Sequence, residues 1–260
     1  MNRDTLRQIV NVVTVIATIA VNALANALPL NGLSTAEISD RFDVYFVPAG
    51  YVFSIWGLIY LGLIAVAIYQ ALPSQRENPR LRRVGYLFVL SGLLNMAWLF
   101  AWHYEQFALS VVVMLALLLT LIAIFGRLRV GRARPGAREL WTVDIPFSIY
   151  LGWITVATIA NITSFLDFID WSGWGIAPES WTLIMLGAAV LIAAAMTITR
   201  RNVPYLLVLV WALSGIAIKH AGVPTVATGA WVATGLVGLM VLLAPWLNRN
   251  RAIALPSSAT

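Results

Sequence analysis

Apolar stretches of about 20 residues recur along the chain, each long enough to cross a bilayer core. Eight such segments stand out: Leu6 to Leu28, Gly50 to Leu72, Val84 to His103, Phe107 to Phe125, Ile145 to Leu166, Trp181 to Thr199, Val203 to Ile218 and Val226 to Trp246. The connections between them alternate in charge. Arg3 and Arg7, Arg76 to Arg83, Arg127 to Arg138, Arg200 and Arg201, and Arg249 and Arg251 fall on one side. Glu37, Asp40, Asp43, Glu105, Asp167, Asp170 and Glu179 fall on the other, with only Arg41 and Lys219 as cations. Basic residues in short loops stay cytoplasmic. Eight helices with both termini inside the cell satisfy every loop, and the expected location is a bacterial cytoplasmic membrane.

Within these helices the polar and aromatic positions form stripes. Asn11, Thr14, Thr18, Asn22 and Asn26 lie near one line of the first helix. Phe53, Trp56 and Tyr60 in the second helix are spaced i, i+3, i+7, and Asn95, Trp98 and Trp102 repeat that spacing in the third. Tyr150, Trp153, Ala157 and Asn161 do so in the fifth. Side chains at this spacing share a helix face, and in lipid such a face turns toward the bundle interior. Trp56 and Asn95 fall about 12 Å below the outer surface at 1.5 Å per residue. The stripes therefore serve either as walls of an outer-half cavity or as interhelical packing and hydrogen-bond contacts. A cavity so lined suits a flat, largely apolar ligand with a few polar groups.

Composition narrows the class. With 60% hydrophobic and 11% charged residues the chain reads as one integral membrane protein without a soluble module. The net charge of +6 arises in the cytoplasmic loops, so it argues for lipid headgroups and against nucleic acid. Zero cysteines exclude disulfides, thiol catalysis and cysteine metal sites. Two separated histidines support neither a metal site nor a proton relay, and hydrolase and nucleotide motifs are missing. No cofactor is required by this pattern.

Several positions carry simpler expectations. His103, Glu105, Lys219 and His220 read as interfacial side chains, Asp144 as a cap on the fifth helix, and the stretch after Trp246 as a frayed tail. Arg3, Arg7 and Ala25-Asn26-Ala27 have features of a signal peptide, but the three asparagines of the run favour a retained helix. The amphiphilic segment Ser39 to Phe46 either folds over the outer mouth or lies as a plain surface loop. Trp171 and Trp174 read as an aromatic belt. Gly229, Gly235 and Gly238 give the eighth helix small-residue faces suited to a homodimer.

The aromatic helices resemble the tryptophan-rich sensory protein family, which includes the translocator protein. Pro48-Ala49-Gly50-Tyr51-Val52-Phe53-Ser54-Ile55-Trp56-Gly57-Leu58-Ile59-Tyr60 is similar to its second-helix signature. Leu94-Asn95-Met96-Ala97-Trp98 is similar to its third-helix motif, and Trp153 to Asn161 to its fifth. The resemblance implies a five-helix core over residues 1–166, with 167–260 as three additional helices and a short tail. It also implies a pocket, closed by the loop after the first helix, for porphyrins, haem, sterols or drug-like molecules. The family's pocket positions carry over to Phe53, Trp56, Tyr60, Asn95, Trp98, Trp153, Ala157 and Asn161. Phe42, Tyr45 and Phe46 stand where the family has a Trp-Tyr pair. Small-solute transport and slow, light-dependent porphyrin degradation are the alternatives to plain binding.

Overall fold

The first helix, α1 (Arg3–Ala27), begins where the Asn2 side chain accepts the Asp4 backbone N–H at 3.1 Å, satisfying one of the orphan donors of a helix start. The structure is a computed structural model describing residues 2–28 and 30–253, with side chains described except at 26 and 247–253. Asn26 and the arginines at 249 and 251 are therefore outside the described side chains. The described residues contain helices and turns but no strand.

After α1 come the short α2 (Thr35–Ser39), α3 (Ile55–Ala71), α4 (Pro79–Val84), α5 (Leu87–His103) and α6 (Phe107–Leu128). The single turn α7 (Ala137–Glu139) runs through a π turn, Leu140–Asp144, into α8 (Ile145–Phe168). Then follow α9 (Pro178–Arg200), α10 (Val203–Lys219) and α11 (Pro224–Ile253). The segment expected to begin at Val84 instead breaks there, because Val84 closes α4 and the long helix starts at Leu87. Of the stretch after Trp246 expected to fray, the described part continues α11 to Ile253, and residues 254–260 lie outside the described residues.

Six of the described helical segments are long and apolar enough to cross a membrane, and α5 and α10 are shorter apolar helices of 17 residues each. Their outward faces carry exposed Leu61, Val112, Leu119, Leu191 and Leu242, as lipid contact requires. Between helices in lipid the apolar driving force is weak, so close packing and interhelical hydrogen bonds hold the bundle. Helix α1 packs on α3 and α5, α5 on α6, α6 on α8, and α8 on α3, closing a five-membered ring. Helix α10 docks on the outside of α8 and the turn before α3, and packs with α9 and α11.

Polar pairs fasten that junction. The Asn202 amide donates to Ser148 Oγ at 2.8 Å, and Tyr205 donates to Thr155 Oγ1 at 3.1 Å. Gly215 lets the turn before α3 lie against α10, where the Ala49 N–H bonds its carbonyl at 3.2 Å. A Cβ at position 215 would fall 2.2 Å from Val52 Cγ2. Gly215→Ala should therefore lower stability by about 1–3 kcal/mol through overpacking, read by thermal unfolding in detergent. Gly187→Ala on α9, where a Cβ meets nothing within 4 Å, should not.

Candidate functional site

Trp56 on α3 is the centre of the ring. Its indole stacks 5.6 Å from Tyr60 at 20° and 6.3 Å from Trp98 at 26°, and meets Trp153 edge-on at 6.2 Å. Phe53 meets Trp153 edge-on at 5.7 Å, and Trp98 stacks on Trp102 at 5.9 Å. Stripes that the sequence places on separate helices thus form one aromatic box.

Two compartments adjoin it. The larger, about 310 Å³, is lined by Asn22, Ser34, Thr35, Phe53, Trp56, Gly57, Tyr60 and Trp98. The smaller, about 40 Å³, is lined by Thr35, Phe53, Trp56, Trp98, Trp153, Ala157 and Asn161 among others. Seven of the eight residues singled out in the sequence therefore line one compartment or the other; Asn95 is the exception.

The asparagines are held by protein partners. Asn22 donates to Asn95 Oδ1 at 2.8 Å, and Asn95 donates to the Tyr150 hydroxyl at 3.2 Å. Asn161 accepts from Trp98 Nε1 at 3.0 Å and donates to Ser110 Oγ at 2.8 Å. These bonds tie α1 to α5, α5 to α8, and α8 to α6. The Asn positions are interhelical ties, and Asn22 and Asn161 also line the compartments beside the aromatic rings. Trp153 differs from its neighbours: its indole N–H is buried and makes no hydrogen bond.

A roof covers the box at the acidic end of the bundle. Ser34 and Glu37 form a capping box that starts α2: the Glu37 N–H donates to Ser34 Oγ at 3.3 Å, and the Ser34 N–H to Glu37 Oε2 at 2.7 Å. That Ser34 backbone bond, with its hydroxyl, holds the Glu37 carboxyl below its ordinary pKa. Phe42 packs on Trp102 and Phe107 at 5.9 and 5.0 Å, and Phe46 is buried. Of the two readings of this loop, the one that folds over the mouth is correct.

His103 is not an interfacial side chain. It is fully buried, with Nε2 3.1 Å from Thr35 Oγ1 and Nδ1 3.1 Å from the Leu30 carbonyl. Trp102 Nε1 also donates to the Thr35 carbonyl at 3.3 Å. The loop that buries His103 supplies its partners, which is why a helix-end position looked exposed in the sequence. Both cations of this end are engaged as well, Arg41 with Glu105 and Lys219 with Asp40. His220 sits edge-on under Tyr45 at 5.3 Å, and burial lowers its pKa below the ordinary histidine value.

Asp144 does not cap α8. The helical path runs back through the π turn, so no free helix start exists there, and the carboxylate bonds Arg80 at 2.8 and 3.1 Å. Gly229 faces α9, where a Cβ would fall 2.3 Å from Leu183 Cδ2, so it serves packing within the chain. Thr35 and Ser34, which line the cavity, were missed in the sequence. The Ser-x-x-Glu spacing of the capping box was the signal that could have found them.

No described cluster of His, Cys, Asp or Glu could hold a metal ion. Neither a curated protein nor a solved structure matches the chain. The family model described as TSPO-like protein matches residues 8–243, which takes in α9 and α10 as well as the aromatic ring. With a match of that extent and this set of apolar helices, the chain is an integral membrane protein and belongs to the TSPO-like protein family.

Proposed function

We propose that this membrane protein binds a flat, largely apolar ligand of the tetrapyrrole class in the aromatic box, with α2 and the loop after it as a lid. The observation that carries this reading is the buried, unpartnered indole N–H of Trp153 in a wall of the smaller compartment. A buried donor without a partner is costly, and an acceptor on a bound molecule would remove that cost. Stacked Trp56, Tyr60 and Trp98 supply the flat apolar surface. The larger compartment is at the low end of the volumes usual for small-molecule sites, so a porphyrin would enter as the Thr35–His103 contact opens.

Binding is favoured over passage of small solutes because Gln8, Asn11 and Gln70 of the basic half bond one another between α1 and α3, with Asn11 Oδ1 left buried without a partner. Gln8 donates to the Gln70 carbonyl at 2.6 Å, and Asn11 to Gln70 Oε1 at 3.3 Å, joining α1 to α3. In this reading all eight apolar helices span the membrane, the basic end and both termini face the cytoplasm, and the lid faces outward. Titration of the purified protein with protoporphyrin IX and with haem is expected to quench Trp fluorescence saturably at one ligand per chain. Absence of quenching by either would remove the tetrapyrrole class.

A further inference from the structure

A large cleft lies at the opposite, basic end of the bundle and has no part in the aromatic box. It encloses about 1110 Å³ between the loop after α6 and the turn joining α9 to α10. Its lining includes Arg132, Arg134, Arg200 and Arg201, with Leu140, Ile145, Ile198 and Val203 as apolar flanks.

The four arginines are held together by backbone packing. Gly131 brings the loop so close to the end of α9 that a Cβ there would lie 2.2 Å from the Arg200 carbonyl oxygen. Arg200 in turn donates to the Val130 carbonyl at 3.1 Å and rests over the Phe125 ring at 5.4 Å. Arg201 takes a left-handed φ of 52°, a conformation that favours glycine. Its Nε is buried with no hydrogen-bond partner.

Three other arginines of this end are neutralised by carboxylates, while Arg3, Arg76, Arg83, Arg127, Arg129 and Arg138 have no ion pair among the described residues and do not line the cleft. Arg7 and Arg82 pair with Asp4, and Arg80 with Asp144 and Glu139. None of the four cleft arginines has an ion pair among the described residues. The one carboxylate in the lining, Asp144, is already held by Arg80. The N-terminus of α10, at Val203 and Pro204, adds its positive dipole end to the same cleft. Four like charges gathered around one concavity repel one another, and an anion between them relieves that repulsion.

We infer that this cleft is a binding site for a phosphate-bearing anion. Guanidinium forks match phosphate oxygens with charge-assisted bonds. The anion is either the headgroup of an acidic lipid in the adjoining leaflet or a soluble phosphate compound, and the two sources share this recognition chemistry.

The full chain in neutral detergent would be titrated with dioleoylphosphatidylglycerol, with dioleoylphosphatidylcholine as reference, and separately with inorganic pyrophosphate. Arg132 and Arg134 are exposed, so the double variant R132Q/R134Q should unfold at the wild-type temperature without a probe. R3Q/R83Q removes the same charge from exposed positions of the basic end that do not line the cleft. The expected result is that R132Q/R134Q weakens the bound probe about tenfold or more, while R3Q/R83Q changes it less than about twofold. Loss confined to the phosphatidylglycerol arm identifies a lipid headgroup, and loss confined to the pyrophosphate arm a soluble phosphate. Equal weakening by both double variants, or no binding of either probe beyond the phosphatidylcholine reference, would overturn the site and leave only a generally basic surface.

Discussion

Replacing Arg80 with methionine should lower the unfolding free energy by about 3–5 kcal/mol, the scale for stripping one partner from a buried ion pair. Arg80 bonds both oxygens of Asp144 at 2.8 and 3.1 Å, lies 3.1 Å from Glu139, and donates to the Leu128 carbonyl at 2.7 Å. One side chain thereby ties α4 to the end of α6 and to the π turn that leads into α8. The Asp144 side chain is only 3% exposed, so its charge has nowhere to go when Arg80 is removed. Chemical unfolding in mixed micelles reads the loss. The double variant R80M/D144L should recover most of it, because a well-packed apolar pair replaces a buried ion pair at little cost. A loss for R80M within about 1 kcal/mol would place the pair among surface ion pairs and remove the structural role given to it.

The same region shows where a sequence stops being readable. Long apolar runs announce helices because backbone polar groups in lipid must be satisfied within the segment. Stripes at i, i+3, i+7 announce an inward face because that spacing is fixed by the helix itself. Both signals are local; the stripes put Phe53, Trp56, Tyr60, Trp98 and Trp153 on inward faces, where each lines one of the two compartments. What was illegible depends on how helices are registered against one another. Asn22 meets Asn95 across 73 positions of sequence and Trp98 meets Asn161 across 63, so nothing near either asparagine says that its hydrogen bonds are already taken. His103 looked interfacial because its cover, Leu30 and Thr35, arrives from a loop with its own capping logic. Asp144 looked like a cap because a π turn and an ordinary helix start have the same local composition. Trp211 lies 159 positions from Val52 in sequence, and its indole donates to the Val52 carbonyl at 3.1 Å while its ring meets Tyr51 at 5.3 Å. It therefore braces the turn that carries Phe53 and makes a poor reference for any binding test.

Trp153→Phe should move stability and affinity in opposite directions. The indole N–H of Trp153 is buried without a protein partner, and removing a buried unsatisfied donor relieves a penalty of about 1–3 kcal/mol. Phenylalanine keeps an apolar ring against Phe53 and Trp56 but leaves a smaller one, which returns part of that gain as lost contact. The net expectation is an unfolding free energy unchanged or raised by about 1 kcal/mol. Affinity for protoporphyrin IX should meanwhile fall by about 1–2 kcal/mol, roughly five- to thirty-fold, as the donor and indole area are lost. Trp231→Phe, at a half-exposed position on α11, is the reference and should change neither quantity. A purely structural Trp153 gives a different pattern, lower stability with affinity unchanged in the folded fraction. That outcome would return the aromatic box to interhelical packing, because the unpartnered donor in its wall would then have no ligand to meet.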